Sequence, residues 1–112
     1  MNYLQRQYYQ EMLGKGRLIP FTYNNRLVCF ITYWITNEDS KDPWLMIEEE
    51  PNGSVCYIDQ LITDKHSENT KLSHSIWQKF RTYIKVKHPS VTQIRWRRFK
   101  GGKINVYNKD ID

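Results

Sequence analysis

The run Arg26–Thr36 (RLVCFITYWIT) is apolar on both of its alternating sets, with Leu27, Cys29, Ile31, Tyr33 and Ile35 on one and Val28, Phe30 and Trp34 on the other. A strand has a period of two, so these sets point to opposite faces and both faces need cover. The run therefore predicts a central strand between packed layers. It does not predict a membrane span: the nearly uncharged stretch Leu27–Asn37 has eleven residues, where a spanning helix needs about twenty. The mean hydropathy of −0.75 agrees.

The elements around this strand follow from local chemistry. Arg17–Tyr23 is rich in apolar and aromatic residues, and Asn24-Asn25 tolerates the positive φ of a two-residue hairpin turn, so 17–36 reads as a β-hairpin. Before it, Asn2–Leu13 reads as a helix with Leu4, Tyr8 and Met12 on one face, closed by Gly14 and Gly16. Asn37–Pro43 is polar and turn-like, Trp44–Ile47 is read as a short strand, and Pro51-Asn52-Gly53 as a turn. Ser54–Ile62 is a strand in which Val55, Tyr57, Asp59 and Leu61 share one side, with Cys56, Ile58, Gln60 and Ile62 on the other. Leu72, Ile76, Phe80, Tyr83 and Ile84 have helical spacing over 70–86, with Pro89 beyond. Val91–Phe99, the Gly101-Gly102 turn and Lys103–Tyr107 form a last hairpin.

The order is α-β-β-(β)-β-α-β-β, and strand 54–62, helix 70–86 and strand 91–99 form a right-handed crossover between parallel strands. The expected fold is α+β: a mixed β-sheet with packed helices, one domain over residues 1–112. Aromatic residues make up 14% of the 112, and large rings let a small domain bury more area per residue.

Cys29 and Cys56 have no CxxC or Cys/His partner at zinc spacing, so both read as buried thiols and no metal site is expected. The absence of a disulfide framework points to a reducing compartment. The N-terminus MNYLQRQYYQEML lacks the basic start and apolar block of a signal peptide. The expected location is cytoplasmic.

The net charge of +5 is unevenly distributed. From Thr36 to Asp59 stand Glu38, Asp39, Asp42, Glu48, Glu49, Glu50 and Asp59 against Lys41 alone, whereas Val91–Lys109 holds Arg95, Arg97, Arg98, Lys100, Lys103 and Lys109 with no acid. The basic segment attracts an anionic partner, whether nucleic acid, a phosphorylated cofactor or an acidic protein. The segregated charge also allows pairing between copies.

Asp59 lies inside an apolar strand (VCYIDQLI), where a carboxylate needs a partner. Burial raises its pKa unless a cation or amide compensates, the state in which a carboxylate acts as a base or orients one. An Arg of strand 91–99 is the expected structural partner. His66, in the loop before the long helix, is the best acid/base candidate among His66, His74 and His88. His74 is adjacent to Ser73 and Ser75, but neighbours on a helix do not face one another. His88 reads as structural, a cation placed at a helix C-terminus. The connection TDKHSENTKL has no glycine for a phosphate cradle; Ser67, Asn69 and Thr70 suit a helix cap, while Lys65 and Lys71 hold an anion by charge alone. The run IRWRRFKGGKINVY interleaves cations and rings, as a nucleic-acid platform requires and as a half-buried strand also shows.

The arrangement over Arg17–Tyr107 resembles the central part of the GNAT acyltransferase fold, in which a hairpin is followed by strand, helix and a parallel strand that splay to admit an acyl donor. Two strings are similar to a divergent branch without the glycine loop, the toxin-activating lysine acyltransferases: CYIDQLI, with Asp59 where that branch has its catalytic Asp, and FKGGKI, Phe99 to Ile104. The branch's catalytic His lies in an N-terminal segment, and here no His precedes His66. Tyr107 stands where the wider family's C-terminal Tyr acid is expected.

The resemblance implies transfer of an acyl group to an amine from acyl-CoA or acyl carrier protein, a co-substrate rather than a tightly bound cofactor. Asp59, His66 and Tyr107 are then the catalytic candidates, and Lys65, Lys71, Arg95, Arg97, Arg98, Lys100 and Lys103 the anchor for the anionic donor. Two alternatives stand beside it. One is a catalytically inert GNAT-like protein, phage-encoded, in the host cytosol or virion and binding a host or virion protein. The other is nucleic-acid binding through the basic 94–107 hairpin.

Overall fold

The computed structural model of the chain describes residues 2–37, 49–63 and 70–112. Its elements are α1 (Tyr3–Gly14), β1 (Leu18–Tyr23), β2 (Arg26–Thr36), β3 (Val55–Thr63), α2 (Thr70–Lys87), β4 (Gln93–Lys100) and β5 (Lys103–Asp110). The expected strand Trp44–Ile47 lies outside the described residues, as does most of the turn before it.

Helix α1 starts on a capping box. The Asn2 side chain accepts from the Gln5 N–H at 2.8 Å, and the Asn2 N–H donates back to the Gln5 side chain at 3.2 Å. It ends where Gly16 takes φ +71° and the Arg17 N–H donates to the Met12 carbonyl at 2.7 Å. Asn24 and Asn25 at φ 51° and 62° make the tight turn of the β1–β2 hairpin, and Gly101 and Gly102 at φ 60° and 76° make that of β4–β5.

The strands form one mixed sheet in the order β1-β2-β3-β4-β5. The neighbouring pairs β1–β2, β2–β3 and β4–β5 are antiparallel, and β3–β4 is parallel, with α2 as the crossover. The fold is thus the expected α+β mixed sheet with packed helices. Strand β2 is interior, and both its faces are covered. On the α2 side Ile31, Tyr33 and Ile35 pack with Cys56, Ile58 and Ile94 against Ile76, Phe80 and Ile84. On the α1 side Trp34 and Tyr57 pack with Met12, and Tyr8 and Leu18 lie against them. Leu4, expected on the same helical stripe, is 72% exposed.

Alternation fails at two places, for one physical reason. In β2, Phe21 pairs with Cys29 and Thr22 with Leu27, so Val28 is an extra residue. In β3, Tyr33 pairs with Ile58 and Thr32 with Gln60, so Asp59 is the extra residue. A β-bulge of this kind shifts the side-chain parity beyond it. Gln60 and Ile62 therefore pair with Thr32 and Phe30 on the α1 face, while Leu61 pairs with Ile31 on the α2 face, the reverse of what unbroken alternation gives.

A buried polar group ties the helix ends to β2. The Tyr33 hydroxyl donates to the Gly16 carbonyl at 3.2 Å and lies 3.0 Å from His88 Nε2. The Arg17 guanidinium sits over the Tyr33 ring and pairs with Glu49. Burial, helped by Arg17 and Lys87, holds His88 below its ordinary pKa. The expectation of a cation here is corrected: His88 follows a helix end, but its environment favours the neutral ring.

Candidate active site

Strands β3 and β4 share a ladder only from Val55↔Gln93 to Tyr57↔Arg95. Beyond it β3 runs on to Thr63 and β4 to Lys100, so the two strands part. The opening is a cleft of about 400 Å³ lined by Asp59, Gln60, Arg97, Phe99 and Ile104. The ladder ends at Tyr57, two residues before the bulge that β3 carries at Asp59, and a bulge bends the strand that carries it.

The bulge turns Asp59 and Gln60 to the same face, toward α1, which supplies a hydrogen-bond partner for each. The Tyr8 hydroxyl donates a short hydrogen bond to Asp59 Oδ2 and lies 3.1 Å from Thr32 Oγ1. The Gln60 N–H donates to Thr32 Oγ1 at 3.1 Å, and the Tyr9 hydroxyl donates to Gln60 Oε1 at 2.6 Å. The Tyr9 ring also meets Phe30 edge-on at 5.1 Å between centroids. Burial, then the hydrogen bond and charge of Asp59, push the Tyr8 phenol above its ordinary range, so Tyr8 keeps its proton and serves as donor. This places a carboxylate, held by a phenol from the first helix, on the wall of a cleft whose other wall carries a guanidinium and two apolar side chains.

The candidate residues distribute unevenly around this site. Asp59 and Arg97 line it, and Arg95 shares the β4 face of Arg97 by alternation. Arg98 and Lys100 alternate to the face of Ile94 and Trp96, and Lys103 pairs with Lys100. Tyr107 also lies on that face, stacked on Trp96 at 5.6 Å, with Trp96 in turn against Trp77 of α2. The structure therefore does not bring Tyr107 to Asp59. His66 and Lys65 lie outside the described residues, and Lys71 falls in the first turn of α2. His74 is exposed on α2.

Sequence reasoning missed Tyr8, Gln60, Phe99 and Ile104 as site residues. Tyr8 had a signal: a phenol on a buried helical stripe carries a hydroxyl that needs an acceptor. The Tyr8 hydroxyl donates a hydrogen bond to Asp59, a partner that sequence reasoning did not name beside the expected Arg of β4.

Among the described residues no three or more His, Cys, Asp or Glu side chains gather as for a metal. Among the described residues no helix is long and apolar enough to cross a membrane.

No family model matches the sequence, and comparison with curated proteins finds no match. Comparison with solved structures does find matches. The chain is similar to a GphF GNAT-like decarboxylase in complex with isobutyryl-CoA, with TM-score 0.66, 10% identity, and coverage of 86% of this chain and 52% of that one. It is similar to the loading GNATL domain of CurA from Lyngbya majuscula, with TM-score 0.63 and 11% identity over 85% of this chain and 50% of that one. It is also similar to a protein from Staphylococcus aureus Mu50 named as an acetyltransferase, with TM-score 0.64 and 13% identity over 98% of this chain and 82% of the other. The chain spans about half the length of the first two. At these identities the likeness shows the fold, which is GNAT-like.

Proposed function

We propose that the chain transfers an acyl group from an acyl-thioester donor to an amine in the cleft between β3 and β4. The observation that carries this reading is the parting of the strands, with Asp59 on the wall of the opening. The solved GNAT-like decarboxylase that the chain resembles holds isobutyryl-CoA, which supports an acyl-CoA as donor. Acyl carrier protein is the other donor class, supported by the likeness of CYIDQLI and FKGGKI to the toxin-activating lysine acyltransferases.

In this reading Phe99 and Ile104 give the acyl chain an apolar wall, and Arg97, with Arg95 beside it on the strand, attracts the anionic donor. Tyr8 donates to Asp59 Oδ2, and the amine reaches the carboxylate from the cleft. The neutral amine nitrogen attacks the thioester carbonyl, a C–N bond forms and the C–S bond breaks. The proton shed by nitrogen goes to Asp59 and then to the leaving thiolate.

Thermal unfolding with acetyl-CoA, isobutyryl-CoA, a long-chain acyl-CoA and acyl carrier protein is the first test, because a ligand of the native state stabilises it by about 2.7 kcal/mol at a hundred times its Kd. The expected result is a Tm rise of several degrees with one donor class. Asp59→Asn should keep that rise and lower turnover by about 10²–10⁴-fold, the usual contribution of a general base. Tyr8→Phe should lower kcat less and move the pH–rate profile. No rise with any donor overturns the reading. It would favour the inert scaffold, a reading supported by the glycine-free connection TDKHSENTKL and by Tyr107 lying on the other face from Asp59.

A further inference from the structure

We infer that the projecting end of the β4–β5 hairpin, residues 96–107, is a second binding element that enters the groove of a nucleic-acid duplex. This inference does not rest on the acyl-transfer reading.

Past Arg95 the hairpin leaves the β3 ladder and continues as a two-stranded ribbon, with Trp96 paired to Tyr107, Arg97 to Val106, Arg98 to Asn105, Phe99 to Ile104 and Lys100 to Lys103. Every residue from Arg97 to Val106 is exposed. Phe99, 76% exposed, and Ile104, 56% exposed, sit beside the tip. The ribbon carries Arg97, Arg98, Lys100 and Lys103, and the segment Val91–Lys109 contains no acid.

The placement of these cations selects the partner. Alternation puts Arg97 on one face of the ribbon and Arg98 and Lys100 on the other, with Lys103 opposite Lys100. An acidic protein resting on one face leaves the cations of the other face in water. A duplex groove has phosphates along both walls, so a ribbon inserted edge-on meets negative charge on both sides at once. The dimensions agree: the major groove is about 12 Å wide and admits a two-stranded β-ribbon. Phe99 and Ile104 share the face of Arg97 and so lie along that wall beside the tip. Most of the affinity comes from the phosphates, so binding is largely independent of sequence.

Fluorescence anisotropy of the full chain with a 20-base-pair duplex and with one of its single strands, between 50 and 200 mM salt, tests this. Four phosphate contacts predict a loss of roughly 10²-fold in duplex affinity over that range. Substituting Arg98→Ala, Lys100→Ala and Lys103→Ala together should reduce the slope of log K against log salt by about 2.7. Arg6→Ala with Lys79→Ala, two exposed cations on the helices, should leave the slope unchanged. Circular dichroism checks that the triple variant folds, and if it does not, Lys100→Ala alone should reduce the slope by about one. The inference is overturned by no binding at 50 mM salt, or by ribbon variants that keep the parent slope. It is equally overturned by tighter binding of the single strand than of the duplex, or by displacement of the duplex by polyglutamate of equal charge.

Discussion

Gly53 and Gly14 are predicted to respond oppositely to the same substitution. Gly53 is buried in the turn before β3, where its N–H donates to the Glu50 carbonyl at 2.8 Å and its carbonyl accepts from Ser90 Oγ at 2.9 Å. A Cβ added there lies 2.3 Å from the Thr36 carbonyl oxygen and 2.7 Å from its carbon, roughly 1 Å inside van der Waals contact. The obstacle is backbone, so relief requires moving the end of β2, where the Glu50 N–H donates to the Ile35 carbonyl and Thr36 pairs with Val55. Overpacking costs about 1–3 kcal/mol, and one weakened hydrogen bond adds about 1 kcal/mol. Gly53→Ala should therefore destabilise by about 2–4 kcal/mol and lower Tm by about 10–25 °C for a domain of this size. At Gly14, the last residue of α1, an added Cβ meets nothing within 4 Å. Gly14→Ala should stabilise by about 0.5–1 kcal/mol, the difference in helix propensity. Urea denaturation of both variants decides. A change within about 0.5 kcal/mol of the parent for Gly53→Ala, or destabilisation by Gly14→Ala, refutes the steric reasoning.

His88 makes stability depend on pH with a definite sign. Its pKa is held below the ordinary value by burial first and by Arg17 and Lys87 second, so below about pH 6.5 the unfolded chain takes up a proton that the folded chain refuses. Stability should fall with acidification from that point down to the folded pKa, by at most about 1.4 kcal/mol per pH unit. His88→Gln should remove that component, and parallel profiles of parent and variant between pH 7 and 5 would contradict it. Burial pushes the Cys29 thiol up to about 11 and raises that of Cys56 as well. Both should stay unreactive toward a thiol-specific disulfide reagent at pH 8 until the protein is unfolded, and a fast thiol in the native protein would contradict this.

The parts of the fold that were legible in the sequence are those decided by nearest neighbours. Asn24-Asn25 and Gly101-Gly102 each occupy positive φ, and only such residues make a two-residue turn without strain. The two-sided apolar pattern of β2 matches the two packed faces observed. The register of β3 was less legible, because a bulge is decided by pairing with β2 rather than within the strand. A trace of it exists all the same: Asp59 and Gln60 are consecutive polar residues in an apolar run, and a bulge is what lets both face the same side. The pairing of Asp59 with Tyr8 was not legible, since Tyr8 is fifty-one positions away and no spacing rule spans that distance. The basic run was visible as charge, but its division between a cleft wall and a projecting ribbon depends on where the β3 ladder stops.

That stopping point also governs how the molecule comes apart. Sheet pairing between the half built from α1, β1, β2 and β3 and the half built from α2, β4 and β5 is confined to the stretch Val55–Tyr57 against Gln93–Arg95, reinforced below it by the Thr92 and Gln93 N–H groups on the Ser54 carbonyl. The rest of the adhesion between the halves is side-chain packing of Phe80, Ile84 and Ile94 beneath the sheet and side-chain hydrogen bonds such as Tyr33 to His88 and Ser90 to the Gly53 carbonyl, none of which continues the backbone ladder. The backbone seam between the halves is short, and the cleft is its unsewn part. Anything that wedges into it acts on a joint with little backbone to resist being prised wider, while the two hairpins on either side remain intact.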